Sequence, residues 1–338
     1  MSSIKDVAAK ANVSIKTVSR VLSGFAGVSS KTKEKVESAM QELEFYPSAA
    51  AQSLRGRDKG IVCLITEKLT TTPDSFDIIA GIQSECEKQG KLLMIGESGG
   101  SDESFSRLVD DFRRQRAEAI IFATVYRRQV KIKQSFKKCP LILVNCFEAN
   151  LSHPTILPND YLGAYQITDE LIAKKHRKIA YLTLFEDMPA TQLRLDGYRK
   201  AHEAANLDVD RGLIQVGVCR DSEDEFSNLP EVLQTLLSRQ EPPTAICCGN
   251  DKMAMRVYML IRKLGFQIPE SISIVGYDNY KLIAENLLPK LTTVSLPYFS
   301  MGQRAAQLAI NKQQVTTPEI IEISGELVLR DSHGYATS

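Results

Sequence analysis

Five residues stand where an α/β protein binds small molecules. Asn145 follows the apolar run 141–144, Asn250 follows Ile246-Cys247-Cys248-Gly249, and Asp278 follows Ile274-Val275-Gly276-Tyr277. Phe76 and Arg194 are expected to open the helices that follow two further runs, 60–66 and 180–183. Ligands of open parallel sheets sit beyond the carboxyl ends of the strands, so these side chains are expected at one edge. Together they offer one aromatic ring, one guanidinium, two amides and a carboxylate, with Asp251 as a second carboxylate. Planar polar groups suit vicinal hydroxyls and a flat ring suits a C–H face, the mixture that a saccharide requires. Each residue alone has an ordinary explanation: Asn250 or Asp278 as a helix cap, Arg194 as a surface ion pair, Phe76 as core.

A second set lies near the N-terminus. On a short helix whose apolar face is Val18, Val21 and Leu22, the residues Ile15, Lys16 and Arg20 point away from that face. Lys16 and Arg20 can donate to guanine O6 and N7, and Ile15 can touch a thymine methyl. Ser14, Thr17 and Ser19 carry short hydroxyls suited to phosphate oxygens, as do Ser29 and Thr32 one helix further on. Residues 1–60 carry ten basic and six acidic side chains, leaving a net charge near −3 on the remainder. A small basic head on a slightly acidic body fits a nucleic-acid-binding module and also a solvated basic surface.

Other chemistries are poorly supported. The seven cysteines show no C-x-x-C pairing and mostly fall in apolar runs, so they are expected to be reduced and buried, with no metal and no cofactor. Gly96-Glu97-Ser98-Gly99-Gly100 matches the G-x-S-x-G of a hydrolase elbow. In an elbow the helix follows the serine at once, whereas here two glycines intervene and Ser101-Asp102-Glu103 looks like the helix start. None of the four histidines is positioned to serve such a serine, and His176, beside Arg177 and Lys178, is expected at the surface. An enzyme is therefore not expected. No apolar run approaches the ~18 residues of a membrane span, and residues 1–10 lack the apolar core of a secretory signal, so a cytoplasmic location is expected.

These residues need elements to hold them. Ile4, Val7, Ala8 and Ala11 share a helical face behind Ser3 and Asp6, a capping-box start. Asn12-Val13 breaks the chain, Ser14 can cap the second helix, and Ser29 or Ser30 can cap a third that Pro47 is expected to stop. From residue 60 the pattern changes to strand-like runs at 60–66, 92–95, 119–123, 141–145, 178–183, 244–248 and 272–277. Helix-like stretches at 76–89, 101–115, 161–174, 194–206, 222–238 and 251–264 lie between them. Such alternation means parallel sheets covered on both faces. Two such sets divide near residue 160.

The ordered run Asp6-Val7-Ala8, Ala11-Asn12-Val13-Ser14, Thr17-Val18-Ser19-Arg20-Val21-Leu22, Val28-Ser29, Thr32-Lys33, Val36 and Tyr46-Pro47 resembles the head of the lactose-repressor family. The chain departs from the family at Asn12, where glycine is usual, and at Ser48, where asparagine is usual. The resemblance continues through Asn159-Asp160, Gly163, Tyr165, Arg194-Leu195-Asp196-Gly197-Tyr198, Asn250-Asp251, Met253-Ala254 and Gly276-Tyr277-Asp278-Asn279. It ends in Pro289, Leu291-Thr292-Thr293-Val294 and Leu329-Arg330-Asp331-Ser332. It implies a helix-turn-helix head at 1–46, a hinge helix at 47–59, and a periplasmic-binding-protein-like body at 60–338. The body is then an N-lobe of about 60–162 and 294–322 with a C-lobe of about 163–293 and 323–338. It implies a homodimer on a pseudo-palindromic operator, controlled by a small molecule bound at Arg194, Asn250 and Asp278. Asn250 favours a sugar over the purine or corepressor type of effector. Thr72-Pro73, Ser75, Asn145-Cys146, Leu157-Pro158 and Cys248-Gly249-Asn250-Asp251 look most like sucrose-utilisation repressors. No leucine heptad follows Ser332, which favours a dimer. A sugar receptor without a DNA role is the remaining alternative.

The hinge carries its own expectation. Ser48-Ala49-Ala50-Ala51-Gln52-Ser53-Leu54-Arg55-Gly56 reads either as a plain tether or as two turns of helix, too short to be stable alone in water. The resemblance implies a helix that forms on DNA and pairs with its mate in the minor groove. Ala50 and Ala51 would then allow close approach, and Leu54 would be the wedge that opens a base step.

Overall fold

The computed structural model describes residues 2–23, 25–45, 60–69, 74–311 and 318–336. The hinge positions Ala50, Ala51 and Leu54 lie outside the described residues. The chain divides into two compact units, Met1–Gly60 and Ile61–Ser338.

The first unit is three helices, α1 (Ile4–Lys10), α2 (Ile15–Ser23) and α3 (Ser30–Glu42). Ser3 and Asp6 form the complete capping box, in which the Asp6 carboxylate accepts from the Ser3 amide at 2.7 Å. Asn12 takes the left-handed turn at φ 52° that lets α2 reverse on α1. Ser14 caps α2 by accepting from the Thr17 amide at 3.1 Å, and Ser29 caps α3. Val7, Ala8, Ala11, Val18, Val36 and Ala39 form the core. Helix α3 ends at Glu42, well before Pro47. Glu44 turns left-handed at φ 46°, so the stop is a turn and not the expected proline.

The second unit follows the strand–helix alternation. Its elements are β1 (Ile61–Thr66), α4 (Asp74–Lys88), β2 (Leu92–Glu97), α5 (Asp102–Arg114), β3 (Ala117–Gln129), β4 (Leu141–Phe147) and β5 (Thr155–Pro158). Then come α6 (Asp160–Ala173), β6 (Ile179–Thr183), α7 (Pro189–Ala204), β7 (Ile214–Val216), α8 (Leu229–Leu237) and β8 (Ala245–Cys248). The last are α9 (Asp251–Lys263), β9 (Ser273–Asp278), α10 (Lys281–Ala284), β10 (Thr292–Ser295), α11 (Tyr298–Ile310), β11 (Ile320–Ile323) and β12 (Leu327–Val328). One sheet has the order β11-β5-β4-β3-β1-β2 and is parallel throughout; the other runs β12-β10-β9-β8-β6-β7 with only β12 antiparallel.

Period-2 alternation explains why each sheet is covered twice. Along β1, Val62 and Leu64 pack with α4 and α11, while Cys63 and Ile65 pack with Phe105, Val109 and Phe112 of α5. In the other sheet Ala180 and Leu182 join Val257 and Ile261, while Ile179 and Tyr181 join Leu171 and Tyr198. Six cysteines are buried and Cys219 is half-buried, and all seven are free thiols.

Three details of the second unit also differ from the sequence expectation. Arg194 does not open its helix: Pro189 occupies the first turn, and Arg194 lies inside α7. Residues 222–228 are bends and turns, so α8 is confined to Leu229–Leu237. His176 is not at the surface. It is 1% exposed and bonds Thr244 Oγ1 at 2.8 Å and the Gly334 carbonyl at 3.1 Å, and burial lowers its pKa.

Candidate functional site

The three chain crossings between the sheets lie close together. The Asn159 amide donates to Ile323 O at 2.9 Å, Ser295 to Glu326 O at 2.8 Å, and Leu296 to Asp278 O at 3.2 Å. Beside them a cleft of about 770 Å³, open solvent included, takes its lining from both lobes.

Asn145, Arg194, Asn250 and Asp278 all line this cleft. Arg194 is 6% exposed and held like a tool in a clamp. Its Nε donates to Asp160 Oδ1 at 2.9 Å and its Nη1 to the Gly249 carbonyl at 2.8 Å, while the guanidinium carbon lies 3.7 Å from the Tyr277 ring centroid. Burial works against the charge on Arg194, but Asp160, Tyr277 and Asp278 more than offset it and raise its pKa. Close helix packing makes this reach possible. A Cβ on Gly197 would sit 2.2 Å from Tyr161 O, so only glycine lets α7 lie so near α6.

Asp278 ends β9 at φ 121°, followed by Asn279 at φ 54°. Two successive non-glycine residues at positive φ at a strand end are the kind of local strain that clusters at functional sites. The neighbouring Arg330 fixes the second of them through Asn279 Oδ1 at 2.8 Å. Asn250 caps α9, accepting from the Met253 amide at 2.8 Å. Cap and cleft residue are thus the same side chain: its oxygen serves the helix, and its amide nitrogen is the group it can offer a ligand.

Asn145 is 1% exposed at φ 58° and gives its amide nitrogen to Thr124 O at 3.2 Å and Val125 O at 3.0 Å. These bonds hold an irregularity in the β3–β4 pairing between Ala123 and Arg128. Bulges re-aim side chains, and here Tyr126 and Arg127 line the cleft. Phe76, 57% exposed on α4, is not among the described residues that line it.

Several lining residues were not singled out from sequence: Tyr126, Arg127, Asp160, Met188, Ala190 and Lys252. Asp160 is the most consequential. It is 1% exposed and accepts from Arg194 on one oxygen and from Arg127 on the other, the latter at 3.3 Å. Its signal was its place two residues beyond the end of β5, where it reads as an acidic helix start. Arg127 could have been found as a basic residue continuing an apolar run. Behind the cleft, burial pushes the Asp251 carboxyl up to about 7, although Thr293 Oγ1 and the Tyr280 amide both donate to it at 2.7 Å.

In the small unit, Ile15 is 46% exposed, and Lys16 and Arg20 are exposed on the same side of α2, opposite buried Val18. The Ser14 hydroxyl lies 2.9 Å from Thr17 Oγ1, and Ser29 repeats the pairing with Thr32 at 2.9 Å. Ser19 is half-buried. The Arg20 guanidinium lies 5.2 Å from the ring centroid of Phe25, a half-exposed aromatic not anticipated from sequence. This contact restricts where Arg20 points.

Residues 3–48 match the model of bacterial regulatory proteins of the lacI family, and residues 168–333 match that of a periplasmic binding protein-like domain. The chain is 31% identical over 323 residues to a ribose operon repressor of Escherichia coli (strain K12), covering 95% of each chain. It is 32% identical over 339 residues to the HTH-type transcriptional repressor PurR of Vibrio vulnificus (strain CMCP6), covering 98% of each. A sucrose operon repressor of Escherichia coli is 28% identical over 309 residues, covering 90% of this chain and 92% of that one. Overall identity thus does not single out the sucrose repressors that the short motifs suggest.

Proposed function

The chain belongs to the lacI family of bacterial regulatory proteins, and from that premise we propose that it represses a carbohydrate-utilisation operon and leaves its operator when a sugar fills the cleft. The observation that carries this reading is the buried, doubly anchored Arg194 beside Asp278 and Asn250 in a cleft between two lobes. A fixed guanidinium, a carboxylate acceptor and an amide donor match vicinal hydroxyls. Tyr126, 56% exposed, supplies an aromatic face.

In this account the protein acts in the cytoplasm as a homodimer on a pseudo-palindromic operator, and the body carries regulation and no catalysis. Ile15, Lys16 and Arg20 read base edges, while Ser14, Thr17, Ser19, Ser29 and Thr32 position the head on phosphates. Segment 47–59 folds on DNA, with Leu54 as wedge and Ala50 and Ala51 allowing close approach. A ligand that binds both lobes favours one lobe arrangement, and it releases DNA to the extent that this arrangement disfavours the folded hinges.

A thermal-shift panel on the full chain tests the reading, using ribose, fructose, sucrose and cellobiose beside hypoxanthine and guanine. A sugar should raise the melting temperature in a concentration-dependent way. Stabilisation by a purine base alone would replace the sugar reading with a purine-responsive one.

A further inference from the structure

The charges of the cleft restrict its ligand more narrowly than "sugar". Its lining holds three cations, Arg127, Arg194 and Lys252, and three carboxylates, Asp160, Asp278 and Glu225. The two arginines are already committed. Asp160, fully buried, takes Arg194 Nε on Oδ1 at 2.9 Å and Arg127 Nη1 on Oδ2 at 3.3 Å. Arg127 also donates to Pro158 O at 3.0 Å and lies 3.8 Å from Glu322, a fourth carboxylate behind the lining. Arg194 donates to Gly249 O and lies 4.0 Å from Asp278.

Resting on the sugar reading of this site, we infer that the effector is an uncharged polyol and that Asp160 is the residue that excludes phosphorylated sugars. A phosphate dianion that engaged either arginine would have to draw it away from Asp160, leaving a buried carboxylate short of a partner, which is costly for a buried ion, and Lys252 is left to answer it as a single point charge. A hydroxyl makes no such demand. It can donate to Asp278 with no arginine displaced from Asp160. The side chain of Arg127 is only 10% exposed, its Nε is buried and its Nη1 is held by Pro158 O and Asp160, so it does not present a free fork to a phosphate.

The test is paired calorimetric titration of the full chain. The pairs are ribose with ribose 5-phosphate, fructose with fructose 1-phosphate, glucose with glucose 6-phosphate, and sucrose with sucrose 6-phosphate. At least one neutral sugar should bind, and its phosphate should bind about tenfold or more weakly. A phosphate that binds as tightly as its parent, or more tightly, overturns the inference and leaves the sugar reading standing. If no member of any pair binds, the sugar reading falls and takes this inference with it. Asp160→Asn should narrow the gap within the responding pair by freeing positive charge. If that variant loses its native circular dichroism, titration of the parent at about pH 5 and about pH 8 decides instead: a phosphate monoester loses its second proton near pH ~6, so exclusion by charge narrows the gap at the lower pH, and an equal gap at both removes Asp160 from the discrimination. A gap unchanged in a folded variant would assign the discrimination to shape and remove Asp160 from it.

Discussion

Replacing Arg194 by lysine keeps the charge and removes the fork. The guanidinium reaches Asp160 through Nε and Gly249 O through Nη1 at once, while lying 3.7 Å from the Tyr277 ring centroid. An ammonium is a single point and can serve one of those partners. If it keeps Asp160, the Gly249 carbonyl loses its donor, and a buried acceptor left unpaired costs about 1–3 kcal/mol. Loss of the stacked contact with Tyr277 adds roughly 0.5–2 kcal/mol. Asp160 keeps Arg127 at 3.3 Å, so no charge is orphaned, and the expected total is about 1.5–5 kcal/mol. The chain has no tryptophan, so urea unfolding followed by far-UV circular dichroism reads the loss. Calorimetry on the stabilising sugar should show weaker binding, and operator affinity without sugar should stay near that of the parent. A parent-like unfolding midpoint together with parent-like sugar affinity would refute the reasoning, because both follow from the same two hydrogen bonds.

Arg20→Ala should cost about 1–3 kcal/mol on the best operator and relax preference at one base position per half-site; equal losses on specific and random duplexes would reduce Arg20 to a phosphate contact. Leu54→Ala, in the segment outside the described residues, should weaken operator binding and lower the bend angle in circular-permutation gel shifts, while leaving sugar affinity without DNA unchanged. An unaltered bend would make 47–59 a plain tether. For Asp251, burial lifts the carboxyl from 3.8 to about 7, so in that window the folded state holds a proton that the unfolded state has released. Its contribution to stability therefore falls as pH rises through the window. Asp251→Asn should remove that component from the pH dependence of the urea midpoint, and identical pH slopes in the two proteins would contradict the assignment.

The residues differ in how much they revealed before the fold was known. The Ser3–Asp6 capping box, the turn at Asn12 and the caps at Ser14 and Ser29 are local, and local chemistry decides them. Asn250 and Asp278 were legible as cleft residues because both stand at the carboxyl ends of strands of one parallel sheet. Arg194 was legible as a cleft residue but not in its place along α7, since Pro189 starts that helix where no apolar periodicity marks it. Arg127 escaped notice because its strand continues through an irregularity held by Asn145, a tertiary contact with no sequence period. Asp160 escaped because its role depends on two arginines 33 and 34 positions away. Edge strands such as Ile214–Val216 and Leu327–Val328 are too short to carry an alternation. His176 looked solvated from its charged neighbours, yet Thr244 and Gly334 satisfy it inside the fold.

Control of the head by the cleft is read by titrating operator binding with sugar. The full chain should protect a two-fold symmetric site in a footprint, and the sugar that stabilises the protein should release it in proportion to occupancy of the cleft. Arg194→Lys should bind the same site and require more of that sugar for release. Operator affinity that no sugar changes, in a protein shown by calorimetry to bind one, would contradict the account.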